Sequence, residues 1–188
     1  MPKHLPDLNS LISHIALYNS ENAYEELFKS LFPSLHRFCF FLLKSKELAE
    51  EVASDVMIAL WKNREKLTEV KNIRVYAFVI ARNLSLNSLN RYSKQEWISL
   101  DDIDFEIILD NLNPEQILIN DELKRKLEMA TERLPNQCKL VFKLIKEDGL
   151  SYKETASILN ISTKTVDAHL VSAIKRMTTV LKTEFNLM

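Results

Sequence analysis

A single glycine, Gly149, serves a chain of 188 residues, alongside five prolines. Sheets are built from many tight turns, and those turns draw on Gly, Pro and Asn for their special backbone angles. A chain so poor in the first two residues is expected to be all-α, with almost no strand. Apolar residues make up 46% of it, which suits one large core or two small ones, since domains commonly run about 100 to 150 residues.

Apolar spacing then places the helices. Leu8, Leu11, Ile12, Ile15 and Ala16 mark a first helix that stops near Asn19-Ser20, and Ser20 caps a second carrying Ala23, Leu27, Phe28 and Leu31. Pro33 permits a third start, followed by Leu35, Phe38, Cys39, Leu42 and Leu43. Leu48, Val52, Val56, Ala59 and Leu60 outline a fourth helix, with Glu50, Glu51 and Asp55 on or near its polar side. After a break around Thr68 to Asn72, a fifth runs from about Ile73 to Tyr92. Residues 8–92 are thus expected to form one helical bundle.

Charge sets the next segment apart. Between Ser99 and Leu123 there is no Lys or Arg, while Asp101, Asp102, Asp104, Glu106, Asp110, Glu115, Asp121 and Glu122 all fall there. With Asn-Leu-Asn-Pro and no sustained period, residues 93–113 read as an acidic linker. The net charge of -1 hides this segregation: from Lys124 onward twelve basic residues face seven acidic ones. That is the balance of a phosphate-binding module.

Several function classes drop out. The longest apolar run, Phe38 to Leu43, lies between Arg37 and Lys44 and is far shorter than the roughly 20 residues that span a bilayer. No signal peptide pattern opens the chain, so the protein is expected to stay in the cytoplasm. Cys39 and Cys138 are far apart, and His4, His14, His36 and His169 are scattered. Neither set has metal-ligand spacing, and buried, reduced thiols are the better reading. No glycine-rich phosphate loop or nucleophile-base constellation occurs, so neither catalysis nor a cofactor is expected.

The second module, residues 114–182, carries the sharper signals. Pro114 opens a helix bearing Ile117, Leu118, Leu123 and Leu127, and Pro135 punctuates its end. A helix from Gln137 to Glu147 closes at Gly149, which suits the left-handed position after a helix. Ser151-Tyr152-Lys153-Glu154 is a capping box, starting a helix expected to turn Tyr152, Ala156 and Leu159 inward. Asn160 tolerates the left-handed conformation, and Ser162 caps a further helix, with Ile161 spaced to pack on Val166. Val166, Leu170, Ala173, Ile174 and Met177 would be buried on that helix. Lys164, Asp167, Ala168, His169, Val171, Ser172, Lys175 and Arg176 lie on or beside its opposite face. A short helix, a tight turn and a basic exposed helix make a DNA-binding helix-turn-helix. By itself this pattern also fits a dimeric helix-turn-helix regulator with an N-terminal helical sensor, or a helical interaction module that meets no DNA.

A family resemblance favours another reading. The stretch "LPNQCKLVFKLIKEDGLSYKETASILNISTKTVDAHLVSAIKRM" resembles region 4 of extracytoplasmic-function (ECF) sigma factors, within the bacterial sigma-70 family. "ELAEEVASDVMIALWKNREKL" resembles their regions 2.1 to 2.2, and "NIRVYAFVIARNLSLNSLNR" their regions 2.3 to 2.4. The resemblance implies a non-catalytic protein that binds core RNA polymerase, directs it to a promoter and helps open the DNA. It implies that Glu50, Glu51, Asp55, Leu60, Trp61 and Lys62 meet the clamp helices of the beta-prime subunit, with region 4 near the beta flap. Trp61 is equally readable as core filler.

Arg74, Tyr76, Arg82, Asn83, Asn87 and Arg91 match the segment that opens the promoter and takes unpaired bases of the -10 element. Cationic and amide side chains suit that task, although Tyr76 and Phe78 read better as core than as stacking platforms. The exposed residues of the last helix would read the -35 element, and an anti-sigma factor is an implied partner. The match departs from the family at Asn87, where Asp is frequent, at Ser88, where an aromatic is frequent, and at Asn160, where Gly is. His169 stands where Arg is frequent, and this leaves the promoter sequence open because His cannot bond guanine in the bidentate manner of Arg.

Overall fold

Helix ends in this chain are fixed by short polar side chains. The computed structural model describes residues 7–92 and 121–185, and every regular element among them is helical. The expected linker, Pro114, Ile117 and Leu118 lie outside the described residues. Asp7, Ser20 and Ser45 each accept a backbone N–H at the start of α1 (Leu8–Tyr18), α2 (Glu21–Leu43) and α3 (Lys46–Lys62). Asn19 and Lys44 take left-handed angles between them, which turns the chain sharply without glycine. A 3-10 turn, Arg64–Glu69, leads to α4 (Ile73–Tyr92).

Pro33 does not start a helix as the sequence suggested. It sits inside α2, which runs unbroken for 23 residues. Its ring is on the exposed side, and the neighbouring Ser34 hydroxyl donates to the Leu31 carbonyl at 2.9 Å. A proline costs a helix one N–H bond, and here the buried face of α2 holds the helix together across that loss.

The chain divides into two compact units, one carrying α1 to α4 and the other most of the described chain after residue 121. In the first, α2 packs on both α3 and α4, while α1 packs on α2 and the 3-10 turn. Leu27, Leu31, Leu35, Val56, Leu60 and Phe78 are fully buried there. Phe38 and Phe78 meet edge to face with ring centroids 5.1 Å apart, a geometry favoured by the ring quadrupoles. Cys39, next to Phe38 in sequence, is fully buried, and burial pushes its thiol pKa up to about 11.

In the second unit, α5 (Asp121–Glu132) and α6 (Asn136–Phe142) both pack against α8 (Thr163–Phe185). Their shared core mixes small and large side chains: Ala130, Leu134, Cys138, Ala173 and Met177, bordered by Phe142, Val180 and Leu181. Lys139 is buried too, and its ammonium donates to Glu132 at 3.0 Å. The helix expected over Gln137 to Glu147 appears as α6 followed by a wider π segment, Lys143–Glu147. Gly149 closes it at φ 69, and the Leu150 N–H reaches the Leu144 carbonyl at 3.0 Å. No helix among the described residues is long and apolar enough to cross a membrane.

Candidate functional site

The capping box opens α7 (Tyr152–Leu159) as the sequence indicated. The Ser151 N–H donates to Glu154 Oε2 at 2.7 Å, and the Glu154 N–H to Ser151 Oγ at 3.3 Å. Asn160 then turns the chain at φ 56 and ψ 46. Ser162 Oγ accepts the Thr165 N–H at 3.0 Å, so α8 begins with its first amides engaged. On α7, Ala156 and Leu159 are buried as expected, with Thr155 beside them, but Tyr152 is exposed. An isolated aromatic at a first helical turn gives no sign of which side it takes.

On α8, Val166, Leu170, Ala173 and Met177 are buried as expected, but Ile174 is 44% exposed. Ile174 and His169 flank the buried stripe on opposite sides at similar angles. The helix is rolled toward the histidine, whose Nδ1 lies 3.8 Å from Cys138 Sγ. His169 and Ser172 are therefore half-buried, whereas Lys164, Asp167, Ala168, Val171, Lys175 and Arg176 are exposed. Helical geometry puts Lys164, Ala168, Val171 and Lys175 nearest the outermost line.

On α3 the exposed residues are Glu50, Glu51, Asp55 and Lys62. Leu60, assigned above to a polymerase contact, is 0% exposed and belongs to the core. Ile58, which sequence reasoning passed over, is 47% exposed. Its spacing was the missed signal, because Glu51, Asp55, Ile58 and Lys62 follow one another along a single face. Trp61 is half-buried: its ring lies 4.8 Å from that of Tyr24, and the Arg64 guanidinium lies 4.8 Å from its ring centroid. Tyr24 donates its hydroxyl to the Met57 carbonyl at 3.0 Å, and burial raises its pKa.

On α4, Phe78 is core as expected, but Tyr76 is 37% exposed. Tyr76, Asn83 and Asn87 recur at helical spacing on one exposed face, with Arg91 beside them. The structure does not bring Arg74 and Arg82 onto that line. Arg74 lies about 200° around the helix from Tyr76, and Arg82 about 100° from Asn83. Both are half-buried. Arg82 is held near its own helix, with Nη1 donating to Asn83 Oδ1 at 3.4 Å, and desolvation lowers its pKa.

These surfaces lie within two segments that match known families separately. The Sigma-70 region 2 family matches residues 27–95, and the Sigma-70, region 4 family matches residues 124–177. The chain belongs to the sigma-70 family. Sigma factors of this family are non-enzymatic initiation factors that bind core RNA polymerase and promoter DNA, and this sigma factor acts in promoter recognition and transcription initiation. It is 21% identical over 157 residues to the ECF RNA polymerase sigma factor SigW of Bacillus subtilis, covering 80% of this chain and 84% of that one. SigM of the same organism, also an ECF sigma factor, is 24% identical over 162 residues, or 86% of this chain and 94% of its own.

Two solved structures share the sigma fold with this chain. One is the sigma factor RpoE of Bartonella quintana in complex with the anti-sigma factor NepR, with TM-score 0.59 and 20% identity over 86% of this chain and 98% of that one. The other is CnrH in complex with the cytosolic domain of CnrY, with TM-score 0.59 and 18% identity over 94% and 97%.

Proposed function

We propose that this sigma factor divides promoter recognition between two modules, residues 8–92 and 114–182, joined by the acidic segment 93–113. The outer face of α3, from Glu51 through Asp55 and Ile58 to Lys62, docks on the beta-prime clamp helices of core polymerase. Acidic groups around an exposed isoleucine suit a partly polar protein interface. The Tyr76, Asn83 and Asn87 face of α4 takes unpaired bases of the -10 element, with Arg91 toward phosphate. Arg82 supports Asn83 from the side. The exposed face of α8 enters the major groove of the -35 element, and region 4 also meets the beta flap. An anti-sigma factor is a further partner, as it is for the RpoE relative.

One observation carries the division: each proposed surface is the solvent side of a helix whose other side is buried in its own unit. Such a helix presents polar groups without a conformational change. The test is transcription with purified core polymerase. Asp55→Arg places like charge at a polar interface and is expected to weaken core association by several kcal/mol. Asn83→Ala is expected to impair promoter opening more than duplex binding, and a pre-melted -10 bubble to restore part of the activity. Unchanged association for Asp55→Arg, or wild-type opening for Asn83→Ala, would remove the corresponding surface from the proposal.

A further inference from the structure

The middle of the outward face of α8 is apolar. Val171 is 58% exposed, Ala168 is exposed one turn before it, and Lys164 and Lys175 lie along the same face beyond them. A valine so exposed contributes little to the fold, and a branched side chain lowers helix propensity slightly. Val171 therefore has no evident structural task on this helix.

Charge and position together indicate its partner. Lys164 and Lys175 are eleven positions apart, about 16 Å along a helix. They place cations toward both ends of the patch, where phosphates flank a groove. The patch also falls in the N-terminal half of α8, the part of such a helix that reaches base edges. The apolar feature that a base pair displays in the major groove is the thymine methyl, and Ala or a branched methyl packs against it. The roll of α8 strengthens this assignment, since the approach of His169 to Cys138 turns the imidazole off the outermost line and leaves Ala168 and Val171 at its centre.

We propose that Val171, with Ala168, sets specificity in the -35 element by packing on a thymine methyl, so that this factor selects a thymine at one or two fixed positions. This rests on α8 as the groove-reading helix. The experiment uses the full chain bound to core polymerase and selects duplexes randomised through the -35 element. Each thymine of the selected sequence is then replaced by deoxyuridine, which removes the methyl and keeps the base pair. Loss of affinity by about fourfold at one or two thymines is expected, the change for one methylene-sized group. In Val171→Ala that loss should shrink or vanish while the helix stays formed.

Selection of a defined sequence with no deoxyuridine effect overturns the methyl contact and leaves α8 as the reader. A deoxyuridine effect that persists unchanged in Val171→Ala assigns the contact elsewhere. Loss of core polymerase association in Val171→Ala makes the patch a protein contact and overturns the proposal. Absence of any selected -35 sequence overturns both the proposal and the reading beneath it.

Discussion

The N-terminal unit interlocks large side chains, with Phe38 against Phe78 and rows of leucine from α2. In the C-terminal unit the cluster where α5, α6 and α8 meet includes two alanines and a cysteine among its five buried members, while Leu140, Val141, Leu144, Val166 and Leu170 are buried elsewhere in the unit. Small residues let helices approach closely but give up buried apolar area, at about 25 cal/mol per Å². The C-terminal unit ends its helices with a two-sided capping box at Ser151, a left-handed Asn160, a Ser162 cap and a glycine stop at Gly149, as the N-terminal unit does with Asp7, Ser20, Ser45, Asn19 and Lys44. Both units define their helix ends, and they differ in their cores: among the described residues the buried phenylalanines Phe38, Phe41 and Phe78 all belong to the first. For a sigma factor this matters because the proposed groove-reading helix belongs to the C-terminal unit, where the Ser162 cap sets its start and packing of His169 near Cys138 accompanies its roll.

The contrast breaks most decisively at Phe78. Phe78→Ala is expected to destabilise the N-terminal unit by about 3 to 5 kcal/mol. Hydrogen exchange should show protection lost from α2 to α4 and retained along the buried side of α8. Equal losses in both units would mean that they do not rely on separate cores.

The next largest effect is a pH window. Cys39 stays a neutral thiol up to about pH 11 in the folded chain, against an ordinary value of 9.0, because burial disfavours the thiolate. Its contribution is whole below pH 9.0 and is lost as pH rises toward about 11. The span is at most about 2 to 3 kcal/mol. Urea midpoints measured across that window should fall for the native chain and fall less for Cys39→Ala, where half-buried Tyr24 still contributes.

At the corners the effects are smaller. Asn160→Ala puts a poor left-handed residue into the turn and is expected to cost about 1 to 2 kcal/mol. Asn160→Gly should change stability by less, because glycine accepts that conformation without strain. Thermal unfolding of the two variants measures the difference, and equal losses would show that the turn angle does not set stability there. Smallest is Lys164→Ala, which should leave stability within about 0.5 kcal/mol. It should shallow the salt dependence of DNA binding by about one counterion, similarly for all sequences.

Much of the corner chemistry was legible in the sequence, because Ser-x-x-Glu, Gly149 and Asn160 act on backbone groups a few residues away. The stripe of Val166, Leu170, Ala173 and Met177 was legible for the same reason: its spacing is the period of one helix. The hidden features depended on the other side of an interface. Whether Ile174 or His169 turns inward is decided by where Cys138 stands, and nothing local to α8 reports that. Pro33 was misread because the packing that carries α2 past it comes from distant helices. Leu60 keeps to the apolar stripe that its spacing marked and not to the contact that the resemblance gave it, while Ile58, which the spacing did not place, is exposed. Arg74 and Arg82 matched a linear pattern, yet a helix spreads neighbours in sequence around its axis.

The left-handed corners at Asn19, Lys44 and Asn160 also act before the chain folds. Glycine at such a place widens the range of shapes open to the disordered chain, and a residue with a side chain narrows it by about 0.4 to 1 kcal/mol. Asparagine keeps most of that gain, whereas lysine at φ 57 gives it back as local strain. By placing side chains at three corners and glycine at Gly149, the sequence starts folding from a stiffer, less populous ensemble. Part of the native state's advantage therefore resides in conformations that the disordered polypeptide never visits.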